Sequence, residues 1–170
     1  MRKDLLAKLK KIKLLILDVD GVLTDNSVYI TSEGNEAKAF NIQDGFGIYL
    51  LQEHAKVKVA LLSGRYSKVT EIRAKELEIE MVYNGYTDKA KVLEEIQQKC
   101  DLEYTEMAYV GDDLADLPVL RKTGISIAVP NARPEVKKIC DYVTKSSGGD
   151  GAVREVIDLI LKSKQTKLEY

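Results

Sequence analysis

The feature that most constrains the fold of this chain is a regular alternation of short, continuous apolar runs with longer amphipathic segments. A short run that is apolar throughout is typical of a strand buried on both faces of a sheet, whereas the longer segments have a helical period. The strand-like runs cover residues 14–17, 57–62, 81–83, 107–110 and 125–129. Strands separated in this way by helices predict an α/β protein with a doubly wound, mostly parallel sheet.

The intervals between these runs are mostly helical in pattern, with one exception. Helices are predicted at residues 45–53, 67–77, 89–99, 114–121, 134–139 and 151–162. Residues 27–40 instead contain turn residues between two short strand-like pieces, which predicts a β-hairpin inserted after the first strand. We expect one domain over residues 1–170, with a flexible tail from about residue 163.

Composition limits the partners that this chain is suited to bind. It has 26 Lys and Arg residues against 27 Asp and Glu residues, a formal net charge of -1, which gives no reason to expect nucleic acid or an anionic membrane surface. No apolar run approaches the roughly 20 residues of a membrane span, and the Lys-rich N-terminus is too charged for a secretory signal. The sequence therefore predicts a cytoplasmic protein.

Histidine and cysteine are too scarce for a zinc site. His54 is the single histidine, and Cys100 and Cys140 are far apart in the chain without CxxC spacing. We expect reduced thiols and a helix-terminal His54. Any metal must be held by carboxylates, which favours Mg²⁺ or a similar hard cation.

Residues suited to phosphoryl chemistry follow several of the predicted strands. Ligands of doubly wound folds bind beyond the carboxyl ends of the strands. The residues in that position are Asp18 and Asp20 after the first run, Ser63, Gly64 and Arg65 after the second, Asp88 and Lys89 after the third, and Asp112, Asp113 and Asp116 after the fourth. We predict that these loops meet in one pocket.

Each residue type has a physical reason to be there. A carboxylate such as Asp18 can attack phosphorus and divide hydrolysis into two easier steps, provided that a cation between Asp18 and Asp112 neutralises the phosphate. Asp20 can protonate the leaving oxygen and then accept a proton from water. Ser63, the backbone near Gly64 and Lys89 can bind the phosphoryl oxygens.

Taken singly, these motifs also have ordinary structural explanations. A DxD pair is often a solvated turn, Ser-Gly is often a turn, Lys89 suits an exposed helix, and Asp112-Asp113 suits a helix N-cap. Their combination, each after its own strand, favours the catalytic interpretation. A calcium loop is excluded because Leu23 stands where that loop needs glycine, and no P-loop or dinucleotide-binding motif is present.

The same segments resemble those of the haloacid dehalogenase superfamily. The matching pieces are DVDGVLTD, LLSGR, DK and GDDLAD, at residues 18–25, 61–65, 88–89 and 111–116. The longer segments GNEAKAFNIQDGFG, AYVGDDLADLPVL and GGDGAVREVIDLIL resemble the 3-deoxy-D-manno-octulosonate 8-phosphate (KDO 8-phosphate) phosphatases of lipopolysaccharide precursor synthesis. Asn84 and Tyr86 depart from the pattern that precedes Lys89 in this family.

The resemblance implies a Mg²⁺-dependent phosphatase with an HAD-like fold and an aspartyl-phosphate intermediate. Asp18 would be the nucleophile and a metal ligand, Asp20 the acid and base with its backbone carbonyl on the metal, and Asp112 the third protein ligand. The remaining implied residues are Ser63, Gly64 and Lys89 for phosphate, Arg65, Arg73, Asn41, Gln43, Asp44 and Gly45 for the sugar acid, and Asp113 and Asp116 in support of the ligands. A solvated helix position remains an equal alternative for Arg73.

The spacing of the motifs leaves no room for a separate cap domain. Between Asp25 and Ser63 there is space for a hairpin and one helix only. Because phosphoryl transfer requires exclusion of water, we expect neighbouring subunits to complete the site through the hairpin and the 148–151 segment. The resemblance implies a homotetramer.

Other functions remain open at this level. The same machinery would serve a phosphatase for another nonulosonate or sugar phosphate. A non-catalytic HAD-like binding domain is a second alternative, which the intact Asp18 and Asp20 pair disfavours. A phosphoaspartate receiver is disfavoured because such domains carry the modified Asp after the third strand, where this chain has Tyr83-Asn84-Gly85.

Overall fold

The computed structural model describes residues 3–168, which form one six-stranded parallel sheet covered by helices on both faces. The strand order is β5-β4-β1-β6-β7-β8. These strands are β1 (Leu14–Leu17), β4 (Lys58–Ser63), β5 (Met81–Asn84), β6 (Met107–Gly111), β7 (Ile125–Ala128) and β8 (Tyr142–Val143). The predicted doubly wound fold is confirmed.

The central strands are apolar because both of their faces are covered. All four residues of β1 and all four of β7 are buried, as the continuous apolar runs predict. The covering helices are α1 (Lys3–Lys11), α2 (Ile42–Ala55), α3 (Lys68–Glu76), α4 (Lys89–Cys100), α5 (Leu117–Leu120), α6 (Pro134–Ile139) and α7 (Ala152–Lys164). None of the helices in this part of the chain has the length and apolar character of a membrane span.

The order of the strands fixes the position of the site. β1 lies in the middle of the sheet and pairs in parallel with β4 on one side and with β6 on the other. The chain therefore changes direction of winding at β1, and a crevice opens where the loops after β1, β4 and β6 diverge. The residues that follow these three strands include Asp18, Gly64 and Asp112.

The inserted hairpin is present but small. β2 (Tyr29–Ile30) and β3 (Glu36–Ala37) form a separate antiparallel pair outside the main sheet. Tyr29 and Ile30 are 60% and 73% exposed. The hairpin therefore contributes little to the core of its own chain, and its apolar residues face outward.

The structure differs from the sequence prediction mainly at the ends of elements. α2 begins at Ile42 rather than 45, because the Asn41 side chain caps the backbone N–H groups of Gln43 and Asp44. α7 continues to Lys164, and Leu168 packs against the core, so the predicted tail is partly ordered; residues 169–170 lie outside the described part. Cys100 and Cys140 are free thiols.

Candidate active site

A small polar cavity of about 160 Å³ lies at the carboxyl ends of β1, β4 and β6. It is lined by Asp18, Asp20, Asn26, Ser63, Gly64, Arg65, Lys89, Asp112, Asp113 and Ala115. Eight of these ten residues are among those that sequence reasoning assigned to the chemistry, and the fold brings them together from four segments of the chain.

Asp18 lies at the floor of the cavity, directly after β1. Its carboxylate accepts a hydrogen bond from the backbone N–H of Val19 at 2.7 Å and lies 3.0 Å from the ammonium of Lys89. Burial, together with the nearby negative charge of Asp116, raises the pKa of Asp18 well above its usual range despite the opposing effect of Lys89. The ionised form of Asp18 therefore requires further positive charge in the cavity.

Asp116 organises the side of the cavity next to β6. Its Oδ1 atom accepts from the Lys89 ammonium at 2.7 Å and from the Tyr109 hydroxyl at 2.5 Å. Its Oδ2 atom accepts from the backbone N–H groups of Asp112 and Asp113, at 2.9 and 3.1 Å. Because both carboxylate oxygens are engaged, Asp116 fixes the lysine and the loop that carries Asp112.

Asp112 faces Asp18 across the cavity with few partners of its own. Its Oδ2 atom receives one long contact, 3.4 Å, from the Asn26 amide. Burial and the charge of Asp116 raise the pKa of Asp112 to about 7. Gly21 makes room for this carboxylate, since a Cβ atom there would lie 2.1 Å from Oδ2 and the residue has a φ of +88°.

These carboxylates fit a divalent metal ion. Oxygen atoms of Asp18, Asp112 and Asp116 lie within 4.8 Å of one another. Since Asp116 is already fully hydrogen bonded, Asp18 and Asp112 are the two carboxylates available as ligands. Two buried, under-compensated carboxylates at this separation are a donor set for a hard cation such as Mg²⁺.

Asp20 lies at the rim of the cavity rather than on its floor. Its Oδ1 atom is 2.6 Å from the ammonium of Lys38, and its Oδ2 atom is 3.8 Å from Nε of Arg65. Both partners are cationic, and Lys38 comes from the segment after β3. The carboxylate is therefore fixed in place by the inserted hairpin and by the loop after β4.

The phosphate-binding side is formed by the end of β4 and the start of α4. Ser63 is buried, and its hydroxyl donates to the backbone carbonyl of Arg65 at 2.9 Å, which stabilises the turn that carries Gly64. Burial alone would lower the pKa of Lys89, but Asp18 and Asp116 raise it, so the ammonium stays charged. A dianionic phosphate in the cavity would meet this cation.

The residues predicted to contact the sugar acid divide into two groups. Arg65 lines the cavity, whereas Asn41, Gln43, Asp44, Gly45 and Arg73 do not. Arg73 is buried, donates to the Asn41 carbonyl at 3.3 Å and lies over the Phe40 ring at 5.5 Å. Within its own chain it supports the packing of α2 on α3, so its assignment to substrate stays a prediction that requires a neighbouring subunit's site.

Asp44 has a structural role that the sequence did not reveal. Its Oδ1 atom accepts from the backbone N–H of Arg154 at 2.7 Å, in the first turn of α7. Burial raises the pKa of Asp44 to about 6, although the N–H groups of Arg154 and Gly151 and the charge of Arg73 favour the ionised form. Among residues 3–168, no hydrogen-bond donor is paired with Oδ2 of this carboxylate.

The 148–151 segment packs against the loop that follows β1 in its own chain. A Cβ atom on Gly148 would lie 1.8 Å from the Gly21 carbonyl oxygen, so only glycine permits this approach. Asn131 joins the two loops, because its amide donates to the Gly21 carbonyl and its oxygen accepts from the Gly148 N–H, both at 2.9 Å. These contacts account for Gly148 within a single chain.

Sequence reasoning missed four residues around the cavity. Asn26, Glu36, Lys38 and Tyr109 were not singled out. Tyr109 lies inside an apolar strand run and was interpreted as core, while Lys38 and Glu36 were treated only as parts of a hairpin. Asn26 was treated as part of the loop before the hairpin; its backbone has a φ of 74°, and its side chain contacts Asp112.

Comparison with known proteins finds relatives of one family. The family model of haloacid dehalogenase-like hydrolases matches residues 28–157. The 3-deoxy-D-manno-octulosonate 8-phosphate phosphatase of Escherichia coli strain K12 is 45% identical over 166 residues, covering 98% of this chain and 87% of the relative. The phosphatase of the same description from Yersinia pestis is 43% identical over 166 residues, covering 98% of this chain and 88% of the relative.

Solved structures agree with these relatives in fold. A 3-deoxy-D-manno-octulosonate 8-phosphate phosphatase from Moraxella catarrhalis, in complex with magnesium ion, phosphate ion and KDO, has a TM-score of 0.94 at 41% identity, covering 97% of this chain and 94% of that one. The cobalt-bound phosphatase from Haemophilus influenzae has a TM-score of 0.89 at 38% identity, covering 93% and 92% of the two chains.

Proposed function

This chain belongs to the haloacid dehalogenase-like hydrolases and, within them, to the 3-deoxy-D-manno-octulosonate 8-phosphate phosphatases, and we propose that it hydrolyses KDO 8-phosphate to KDO and phosphate. The observation that carries the proposal is the placement of Asp18 and Asp112 across one small cavity, with Lys89 beside them and Asp20 at the rim. This is the set of groups that transfer of a phosphoryl group to a carboxylate requires.

Asp18, Asp112 and the backbone carbonyl of Asp20 would hold Mg²⁺. The ion, when bound, supplies positive charge that neutralises the phosphoryl oxygens and keeps Asp18 ionised at neutral pH. This role matches the electrostatics of the cavity, where burial disfavours the charge of both carboxylates.

In the first step, Asp18 acts as the nucleophile. A carboxylate oxygen of Asp18 forms a bond to phosphorus while the bond from phosphorus to the sugar oxygen breaks. Asp20 delivers its proton to that leaving oxygen, so the oxygen departs as a neutral hydroxyl group of the sugar. Ser63, the backbone N–H groups near Gly64 and Lys89 hold the transferred phosphoryl group.

In the second step, water attacks the phosphorus of the aspartyl phosphate. Asp20, now ionised, accepts a proton from that water, and the bond between phosphorus and the Asp18 oxygen breaks. Phosphate leaves, and Asp18 and Asp20 return to their starting protonation states. The position of Asp20 at the rim suits both transfers, because the leaving oxygen and the attacking water occupy the same side of phosphorus in turn.

The substrate assignment draws on the relatives and on the charge of the rim. Arg65 lines the cavity and remains 44% exposed at its side chain, so its guanidinium is accessible to a substrate carboxylate. A small phosphorylated sugar acid supplies both anions, one for Lys89 and one for the rim.

The proposal extends to assembly and location. A homotetramer would cover the cavity that this chain leaves open, and the exposed Tyr29 and Ile30 of the hairpin are suited to a subunit contact. We place the enzyme in the cytoplasm, in lipopolysaccharide precursor synthesis. Sedimentation velocity at nanomolar concentration tests the assembly, which a fully active monomer would contradict.

The direct test of the activity is a phosphate-release screen over phosphorylated sugar acids and neutral sugar phosphates, with Mg²⁺ and with EDTA. We expect KDO 8-phosphate to give the highest kcat/KM and EDTA to abolish release. A higher value for another nonulosonate phosphate would reassign the substrate but keep the chemistry. No Mg²⁺-dependent release from any of them would favour a non-catalytic binding domain.

A further inference from the structure

The side chain of Lys38 is buried although it belongs to an otherwise exposed hairpin. Lys38 follows β3, and its side chain has 0% exposure, whereas residues 31–35 of the same hairpin are all exposed. Lysine ammonium groups are rarely buried, because removal from water costs free energy unless an anion compensates. A buried Lys38 therefore needs a carboxylate partner.

That partner is Asp20. The Lys38 Nζ atom lies 2.6 Å from Asp20 Oδ1, which is the shortest cation contact of this carboxylate. The contact is an ion pair, and Oδ1 is buried. Lys38 also lies 3.5 Å from the Thr70 hydroxyl and 3.8 Å from Glu36 Oε1.

Lys38 is one member of a closed ring of four charges. Glu36 binds Arg65 at 2.9 Å, and Arg65 returns to the second oxygen of Asp20 at 3.8 Å. Glu36 is itself fixed by the Ser67 hydroxyl at 2.6 Å. Two cations and two anions thus alternate around the ring, and the hairpin supplies one of each.

The ring restrains the orientation of the Asp20 carboxylate, because each of its two oxygens contacts a cation. Lys38 contacts Oδ1 from the protein side, while Arg65 approaches Oδ2 from the cavity rim. Rotation of the carboxylate would separate one or both of these charge pairs. A carboxylate that must give a proton to the leaving oxygen and later accept one from water depends on such a fixed orientation.

We propose that Lys38 is a positioning residue for Asp20, so that the hairpin completes the acid/base device of its own chain. This inference rests on the proposed function, in which Asp20 transfers the proton. It gives the hairpin a role within one chain, separate from any contact between subunits. Lys38 does not line the cavity, so it acts through Asp20 rather than on the substrate.

The test is a double-mutant cycle on kcat with Lys38→Met and Asp20→Asn. We expect Lys38→Met alone to lower kcat about 10-fold to 100-fold, because part of the acid/base contribution is lost, with KM changed less than about threefold. In the Asp20→Asn background, Lys38→Met should cost less than about threefold, since the group it positions is already gone. Equal losses in both backgrounds would overturn the proposal.

A second readout separates positioning from general structural damage. With p-nitrophenyl phosphate the leaving group needs no proton, so Lys38→Met should release one equivalent of p-nitrophenolate rapidly and then turn over slowly, because water attack still needs Asp20 as a base. A merely destabilised enzyme would show lower activity without such a burst, and that result would contradict the proposal.

Lys68→Met is the matched control, because it removes an exposed lysine that pairs with Glu71 in its own helix. Its kcat should stay within about twofold of the parent. If Lys38→Met does not fold, Lys38→Gln keeps a donor of similar length without the charge and should show the same non-additivity. Full activity of Asp20→Asn would instead refute the proposed function, which keeps the two failures distinguishable.

Discussion

The larger of two cavities at the ends of the parallel sheet is not the one that holds the candidate active site. At the amino ends of β4 and β5 there is a groove of about 510 Å³, more than three times the volume of the cavity at the carboxyl ends. The larger groove is lined by Gln52, Glu53, Lys56, Val57, Lys58, Val59, Glu78, Glu80, Met81, Lys99 and Cys100. The smaller cavity holds the buried carboxylates and the buried lysine.

The contrast shows that buried charged groups close to one another mark the candidate active site better than the volume of a cavity does. Lys58, Glu78 and Glu80 at the amino end are exposed, so water already solvates them. Asp18, Lys89 and Asp112 are buried and interact strongly because little solvent lies between them. The first prediction tests this contrast with the same substitution at each end.

Asp18→Asn should reduce kcat by a factor of about 10⁴ or more, because the nucleophile is lost and the metal site is weakened. Glu80→Gln, the same carboxylate-to-amide change in the larger groove, should leave kcat within about twofold. Phosphate release with KDO 8-phosphate and Mg²⁺ measures both, and circular dichroism checks that both variants fold. A comparable loss of kcat in Glu80→Gln would contradict the assignment of the reaction to the smaller cavity.

At the carboxyl end of the sheet, two neighbouring carboxylates should contribute unequally to the free energy of unfolding. Asp116→Ala leaves the ammonium of Lys89, the hydroxyl of Tyr109 and two backbone N–H groups without their acceptor. We expect a loss of about 3–5 kcal/mol in the free energy of unfolding.

Asp113→Ala is the matched control for Asp116→Ala. The Asp113 side chain is exposed and caps the turn that follows it, accepting from the Leu114 N–H at 2.7 Å as part of a capping box with Asp116. Its loss should cost about 1 kcal/mol, as for a helix cap. Urea denaturation compares the two variants, and equal costs would show that Asp116 is not the fixed centre of this network.

Asp44 lies outside the cavity, so it tests how burial alone changes the pH dependence of folding. Burial raises its pKa to about 6 in the folded state from an ordinary 3.8, so the folded protein binds the proton more tightly than the unfolded chain. Asp44 therefore supports folding most at low pH, and its contribution is lost as the pH rises from about 4 through about 6. The fall should be on the order of 2–3 kcal/mol.

In Asp44→Asn this pH dependence should be absent. Urea midpoints of the parent and the variant at pH 4.5 and pH 7.5, with EDTA in all samples, isolate the contribution of Asp44 from those of Asp18 and Asp112. If the difference between the urea midpoints of the two proteins is the same at both pH values, the pKa of Asp44 is not raised in the folded state.

Much of this architecture was predictable because it depends on local patterns. The continuous apolar runs predicted five strands of the sheet, and the position of polar residues after them predicted that Asp18, Ser63, Lys89 and Asp112 share one cavity. β8 was missed because Tyr142–Val143 is a two-residue edge strand without a periodic pattern.

What could not be predicted depends on contacts between distant segments. Lys38 in sequence is an ordinary hairpin lysine, and only the docking of the hairpin on the loop after β4 buries it against Asp20. Arg73 is exposed by pattern, yet Phe40 and the Asn41 carbonyl bury it. Such pairings have no signature in periodicity, because the partners lie on separate elements.

The most direct test of the account is to identify the residue that carries the phosphoryl group. The Asp20→Asn variant, in which water attack is slowed, is mixed with p-nitrophenyl phosphate and Mg²⁺, quenched within milliseconds and reduced with borohydride, which converts an aspartyl phosphate to homoserine. We predict homoserine at position 18 by peptide mass spectrometry. Homoserine at another position, or none while phosphate is still released at the rate of the parent, would contradict the account.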